Sequence, residues 1–151
     1  NASLYFRPKN GMEVVTAGGW NAGKAIFYND LGEGQAYGNE YWGQARFKYK
    51  GWFAQTYYIK NDGGDDSNPN YLNRTGLIVP LERSHYEAQI QYNFNVPTLS
   101  NSEWTVGLDY RDAKADSENH VYGRNEDNDD YMLYGAYAQA KFKLEPKLDL
   151  F

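Results

Sequence analysis

The chain has no cysteine, which excludes a disulfide framework and a thiolate metal site. No run approaches the roughly 18 apolar residues of a membrane helix, and mean hydropathy is -0.83. Leucine, isoleucine and valine are sparse, although a soluble core of this length is usually filled with aliphatics. Basic excess is lacking too: the net charge is -5, which argues against nucleic acid, since phosphate binding needs a basic footprint. Only two histidines occur. His85 and His120 have no spaced metal partner, no Ser/His/Asp arrangement stands out, and the glycines do not follow a dinucleotide spacing. No enzyme activity, metal or cofactor is expected.

What the chain has in excess is aromatic residues, 17% of the total with 15 Tyr and 4 Trp. Tyr and Trp suit places where one end of the side chain is apolar and the other wet. Between Arg83 and Asn95 the pattern alternates strictly. Tyr86, Ala88, Ile90, Tyr92 and Phe94 fall on one face, and His85, Glu87, Gln89, Gln91 and Asn93 on the other. Period two marks a strand with one apolar and one polar face. The same pattern covers Glu40–Lys50, Glu103–Arg111 and Tyr131–Lys143, and less cleanly Met12–Trp20 and Trp52–Ile59. Ser3–Pro8 and Lys147–Phe151 complete about eight strands, the last too short to span a bilayer.

The connections alternate in length. Short turns are expected at Lys9-Asn10-Gly11, Lys50-Gly51, Val96–Ser102 and Glu145-Pro146-Lys147. Long polar loops are expected at Asn21–Gly38, Asn61–Glu82 and Asp112–Asp130. Successive antiparallel connections lie at opposite ends of a sheet, so the short turns gather at one end and the long loops at the other. Outer-membrane barrels sort their connections this way, with short periplasmic turns and long extracellular loops. The expected fold is therefore all-β: a segment of an antiparallel up-and-down transmembrane β-barrel.

Aromatic spacing adds a length scale. On the apolar face Tyr41 pairs with Tyr49, Trp52 with Tyr58, Tyr86 with Phe94, Trp104 with Tyr110, and Tyr134 with Phe142, six or eight residues apart. With about 3.3 Å per residue and a tilt of roughly 40°, each pair spans about 15–20 Å of membrane normal. These ten are the expected girdle residues, against a lipid-facing band of about 25 Å. Gln44, Arg46, Glu87, Gln89, Gln91, Asp109, Arg111, Gln139 and Lys141 occupy the other face and would line the lumen. Their plainest role is a hydrated wall of cross-strand hydrogen bonds and ion pairs.

Ligand contacts are expected on the loops, since binding residues concentrate on loops held by a rigid scaffold. The candidates are Tyr28, Tyr37, Tyr71, Arg74, Tyr122 and Arg124. The acidic run Asn125–Asp130 has oxygen ligands of the kind Ca²⁺ takes but not the EF-hand pattern, and reads as a solvated loop.

Three stretches resemble the barrel of TonB-dependent outer-membrane receptors. They are Phe27-Tyr28-Asn29-Asp30-Leu31-Gly32-Glu33-Gly34 with Asn39-Glu40-Tyr41-Trp42; Arg74-Thr75-Gly76 through Glu87-Ala88-Gln89-Ile90-Gln91-Tyr92-Asn93-Phe94; and Trp104 to Arg111 followed by Tyr122-Gly123-Arg124-Asn125-Glu126-Asp127. The resemblance implies a 22-strand barrel with an N-terminal plug in the bacterial outer membrane. Such receptors import a scarce small ligand of the iron-chelate, cobalamin or glycan class, with energy passed through TonB. Against that pattern residues 1–151 read as a partial barrel domain without the plug and remaining strands. The partners implied are outer-membrane lipid, the imported ligand and, through a plug, the TonB complex. Two other readings remain: a complete small eight-stranded outer-membrane barrel with a structural or adhesion role, and a soluble ligand-binding β-barrel.

Overall fold

The computed structural model describes the chain except residues 30–31, 65–69, 73–76, 100–101, 121–127, 146–147 and 151. For 29, 32, 71–72, 77–78, 143–145 and 148–150 it describes the backbone alone. Among the described residues the fold is all-β, a single antiparallel sheet of ten strands. Eight form a meander in chain order: β1 (Ala2–Phe6), β2 (Glu13–Asn29), β3 (Gly32–Tyr49), β4 (Trp52–Gly63), β7 (Leu81–Val96), β8 (Ser102–Asp116), β9 (Tyr131–Glu145) and β10 (Leu148–Leu150). The short β5 (Tyr71–Leu72) and β6 (Leu77–Ile78) pair with each other, and β5 reaches β3 through Gln35. Among the described residues β1 and β10 do not pair, so the sheet is open.

Turn chemistry sets the register. Gly11 takes φ +81° and donates its N–H to the Pro8 carbonyl at 3.3 Å, closing the β1–β2 turn. Lys50 sits at φ 51° in a two-residue link, which puts Tyr49 opposite Trp52. From there pairing runs without a slip from Tyr49–Trp52 to Asn39–Asp62, and between β7 and β8 from Val96–Ser102 to Glu82–Asp116. A one-residue slip would move every side chain to the wrong face.

The long-loop expectations need correction. Residues 21–29 and 32–38 pair as part of an extended hairpin that runs from Glu13–Lys48 to Asn29–Gly32. In the other two long connections β4 runs on to Gly63, β7 starts at Leu81 and β8 runs on to Asp116. Asn and Gly at positions 21, 23, 29, 32, 34 and 38 read as loop signals, yet they sit in register across the hairpin. Apolar alternation stops well before the pairing does, so it marks where a face is apolar rather than where a strand ends.

A conventional core is absent from the described residues. Val15 and Val79 are their only buried hydrophobic side chains. Exposed large hydrophobics are numerous, and all but Tyr5, Leu99, Tyr131 and Leu133 share one face by register.

Candidate functional site

The sheet has two faces of different chemistry. One row across the sheet reads Phe6, Val14, Phe47, Ala54, Ile90, Leu108, Ala136. Its neighbour, offset by one residue, reads Tyr5, Val15, Arg46, Gln55, Gln89, Asp109, Gly135. The ten aromatic residues Tyr41, Tyr49, Trp52, Tyr58, Tyr86, Phe94, Trp104, Tyr110, Tyr134 and Phe142 all fall on the first face.

On that face the rings form two belts. Toward the short turns Trp52 packs on Tyr92 (centroids 4.5 Å), Tyr92 on Phe94 (5.7 Å), Phe94 on Trp104 (6.5 Å), and Trp104 meets Phe142 edge-on (6.1 Å). Toward the long connections Tyr86 contacts Tyr110 at 5.9 Å and Tyr110 contacts Tyr134 at 5.1 Å. The belts lie six positions apart on β7 and β8, from Tyr86 to Tyr92 and from Trp104 to Tyr110. Between them lie Ala54, Thr56, Ala88, Ile90, Val106, Leu108, Ala136 and Ala138. None is ionisable, and Thr56 turns its hydroxyl to the Glu87 carbonyl at 3.1 Å. Leu108 is 58% exposed. Beyond the loop-side belt charge returns: Lys60 and Glu82 form an ion pair at 2.5 Å.

The opposite face is polar and largely self-satisfied. Gln44, Arg46, Glu87, Gln89, Gln91, Asp109, Arg111, Gln139 and Lys141 all lie on it. Gln55 donates to Gln89 (3.2 Å), Gln89 donates to the Tyr137 hydroxyl (3.1 Å), and Tyr137 donates to Gln91 (3.0 Å). Tyr137 lies over Gly107, where an added Cβ would stand 2.4 Å from the ring. One Glu87 oxygen takes both the Arg111 guanidinium (3.0 Å) and the His85 ring nitrogen (2.9 Å). Glu13 holds Arg7 at 2.6 Å, with Arg46 farther off at 3.9 Å.

At the loop end this face opens into a cleft of about 550 Å³, whose lining includes Glu40, Ile59, Arg83, Asp129 and Tyr131. Alternation places Glu40 and Arg83 on the polar face, but the sequence does not show that they meet over one cavity. Pairing does: Glu40 stands opposite Asn61, and Asn61 opposite Arg83. The segment before β9 is tied down where Asp130 accepts the Ala115 N–H at 3.1 Å.

Of the expected ligand contacts, Tyr28 and Tyr37 do not line this cleft. Tyr28, 76% exposed near the hairpin tip, and Tyr37 share the aromatic face. The Tyr37 N–H donates to the Asn70 side chain at 2.6 Å. Of Tyr71 only the backbone is described, and Arg74, Tyr122 and Arg124 lie outside the described residues, as does Asn125–Asp127 of the acidic run. Comparison with known protein families, curated proteins and solved structures returns no match.

Proposed function

We propose that this sheet is a stretch of the wall of an outer-membrane receptor or transporter barrel resembling the TonB-dependent receptors, importing a scarce small ligand. One observation carries the membrane part. An uncharged apolar strip, bounded by two aromatic belts, stays exposed while only Val15 and Val79 are buried among the described hydrophobics. Each large apolar side chain left in water forgoes about 1.5–3 kcal/mol, so a sheet of this kind needs an apolar medium against that face. Acyl chains between two headgroup levels fit a strip whose edges are Tyr, Trp and Phe.

The polar face would then line the lumen. Its amide and ion-pair ladder leaves few unpaired groups to trap a passing solute. The receptor part rests on the resemblance of the three stretches and on the cleft at the outer mouth. In hydrocarbon an unpaired backbone group costs several kcal/mol. Among the described residues β9 pairs on its outer side only through Phe142–Glu145, and β2 only through Val14–Gly18. Further strands on both sides would continue the wall.

Two measurements test the proposal. Mixed with detergent or lipid vesicles, the protein acquires β-sheet circular dichroism and protease-resistant strands. Folding to the same state in plain buffer contradicts the membrane reading. In cells, ligand uptake through the protein requires an energised inner membrane. Uptake that persists after the membrane potential is collapsed removes the TonB-dependent part.

A further inference from the structure

We propose that the cleft at the loop end of the polar face binds a small zwitterion of the α-amino-acid or short-peptide class. This inference rests on the receptor reading and names a ligand class beyond the iron chelates, cobalamin and glycans that the resemblance implies.

The cleft's size, about 550 Å³, suits a small molecule. Its charged groups are of both signs and do not neutralise one another. Among the described residues neither Arg83 nor Glu40 has an ion-pair partner. Among the described residues neither carboxylate oxygen of Asp129, which lines the cleft, has a hydrogen-bond donor. A buried acceptor left unsatisfied is costly, and an ammonium group with its three donors relieves it. The planar fork of Arg83 matches a carboxylate. Ile59 and Tyr131, the latter 49% exposed, offer the apolar surface for a side chain.

Single-signed ligands fit less well. An anion would satisfy Arg83 but meet Glu40 and leave Asp129 without a donor. A cation would leave Arg83 unmatched. His85 is engaged by Glu87; Lys114 also borders the cleft, with a register that sets its side chain toward the other face of the sheet.

The test is calorimetric titration of the protein in detergent micelles with the dipeptide Ala-Phe, its N-acetyl form and its C-terminal amide. Saturable binding of Ala-Phe is expected, weakened about tenfold or more by either block, as for loss of a charge-assisted hydrogen bond. Arg83→Gln should weaken Ala-Phe by a similar factor yet leave the amide almost unaffected. Asp129→Asn should do the same for Ala-Phe and spare the N-acetyl form. Blocked and free dipeptides binding equally, variants without effect, or no binding of Ala-Phe at millimolar concentration each overturn the proposal. Lipid insertion is scored on the same sample, so a failed ligand assignment is distinguished from a failed wall.

Discussion

Residues one apart in the same strand live in opposite chemistries. Leu108 stands 58% exposed on a surface without charge, while its neighbour Asp109 lies in a row with Arg46, Gln55 and Gln89. The aromatic face is held by ring contacts and the polar face by hydrogen bonds and ion pairs. In a water-soluble sandwich the apolar face would be the covered one. Here the self-satisfied face is polar and the exposed one is greasy, as expected of a wall with lipid outside and water inside.

Charge insertion separates the faces most sharply. Leu108→Lys should cost about 2–4 kcal/mol of stability in lipid vesicles, the range for a cation at the middle of a barrel's lipid face. Gln139→Lys, on the polar face, should stay within about 0.5 kcal/mol, as for an ordinary surface change. Urea unfolding in vesicles measures both, and equal costs would erase the distinction.

A smaller effect is expected from Gly107→Ala, whose Cβ would stand 2.4 Å from the Tyr137 ring. Displacing that ring breaks its links to Gln89 and Gln91, so a loss of about 1–3 kcal/mol is expected from overpacking. In a Tyr137→Ala background the same change should cost almost nothing, and a double-mutant cycle reads the difference. Trimming Trp104 to Ala removes its contacts with Phe94 and Phe142, each such pair contributing about 0.5–1.5 kcal/mol. That loss should appear in lipid and shrink in detergent. The smallest effect should be Glu87→Gln, below about 1 kcal/mol and fading with added salt, because Glu87 and Arg111 are 39% and 55% exposed.

Much of the facing was legible in the sequence. Strict alternation from Arg83 to Asn95 assigns the sides of Tyr86, Gln89 and Ile90 without structural information. Strand length was not legible. Asn and Gly at positions 21, 23, 29, 32, 34 and 38 make Asn21–Gly38 read as a loop, although residues 21–29 pair with residues 32–40. The cleft was least legible. Glu40, Arg83 and Asp129 come from three separate parts of the chain, and only cross-strand pairing brings the first two together. Tyr28 and Tyr37 read as loop aromatics, and their parity turns them to the other face.

The four tryptophans test the two-faced wall directly. Trp20, Trp52 and Trp104 lie on the aromatic face, and Trp42 on the polar one. Four variants, each keeping one tryptophan with the others changed to Phe, can be folded into vesicles of brominated lipid. Fluorescence of Trp20, Trp52 and Trp104 should be strongly quenched and that of Trp42 spared. Quenching of Trp42 as strong as the rest, or of none of the four, would contradict a wall with one face in lipid and the other in water.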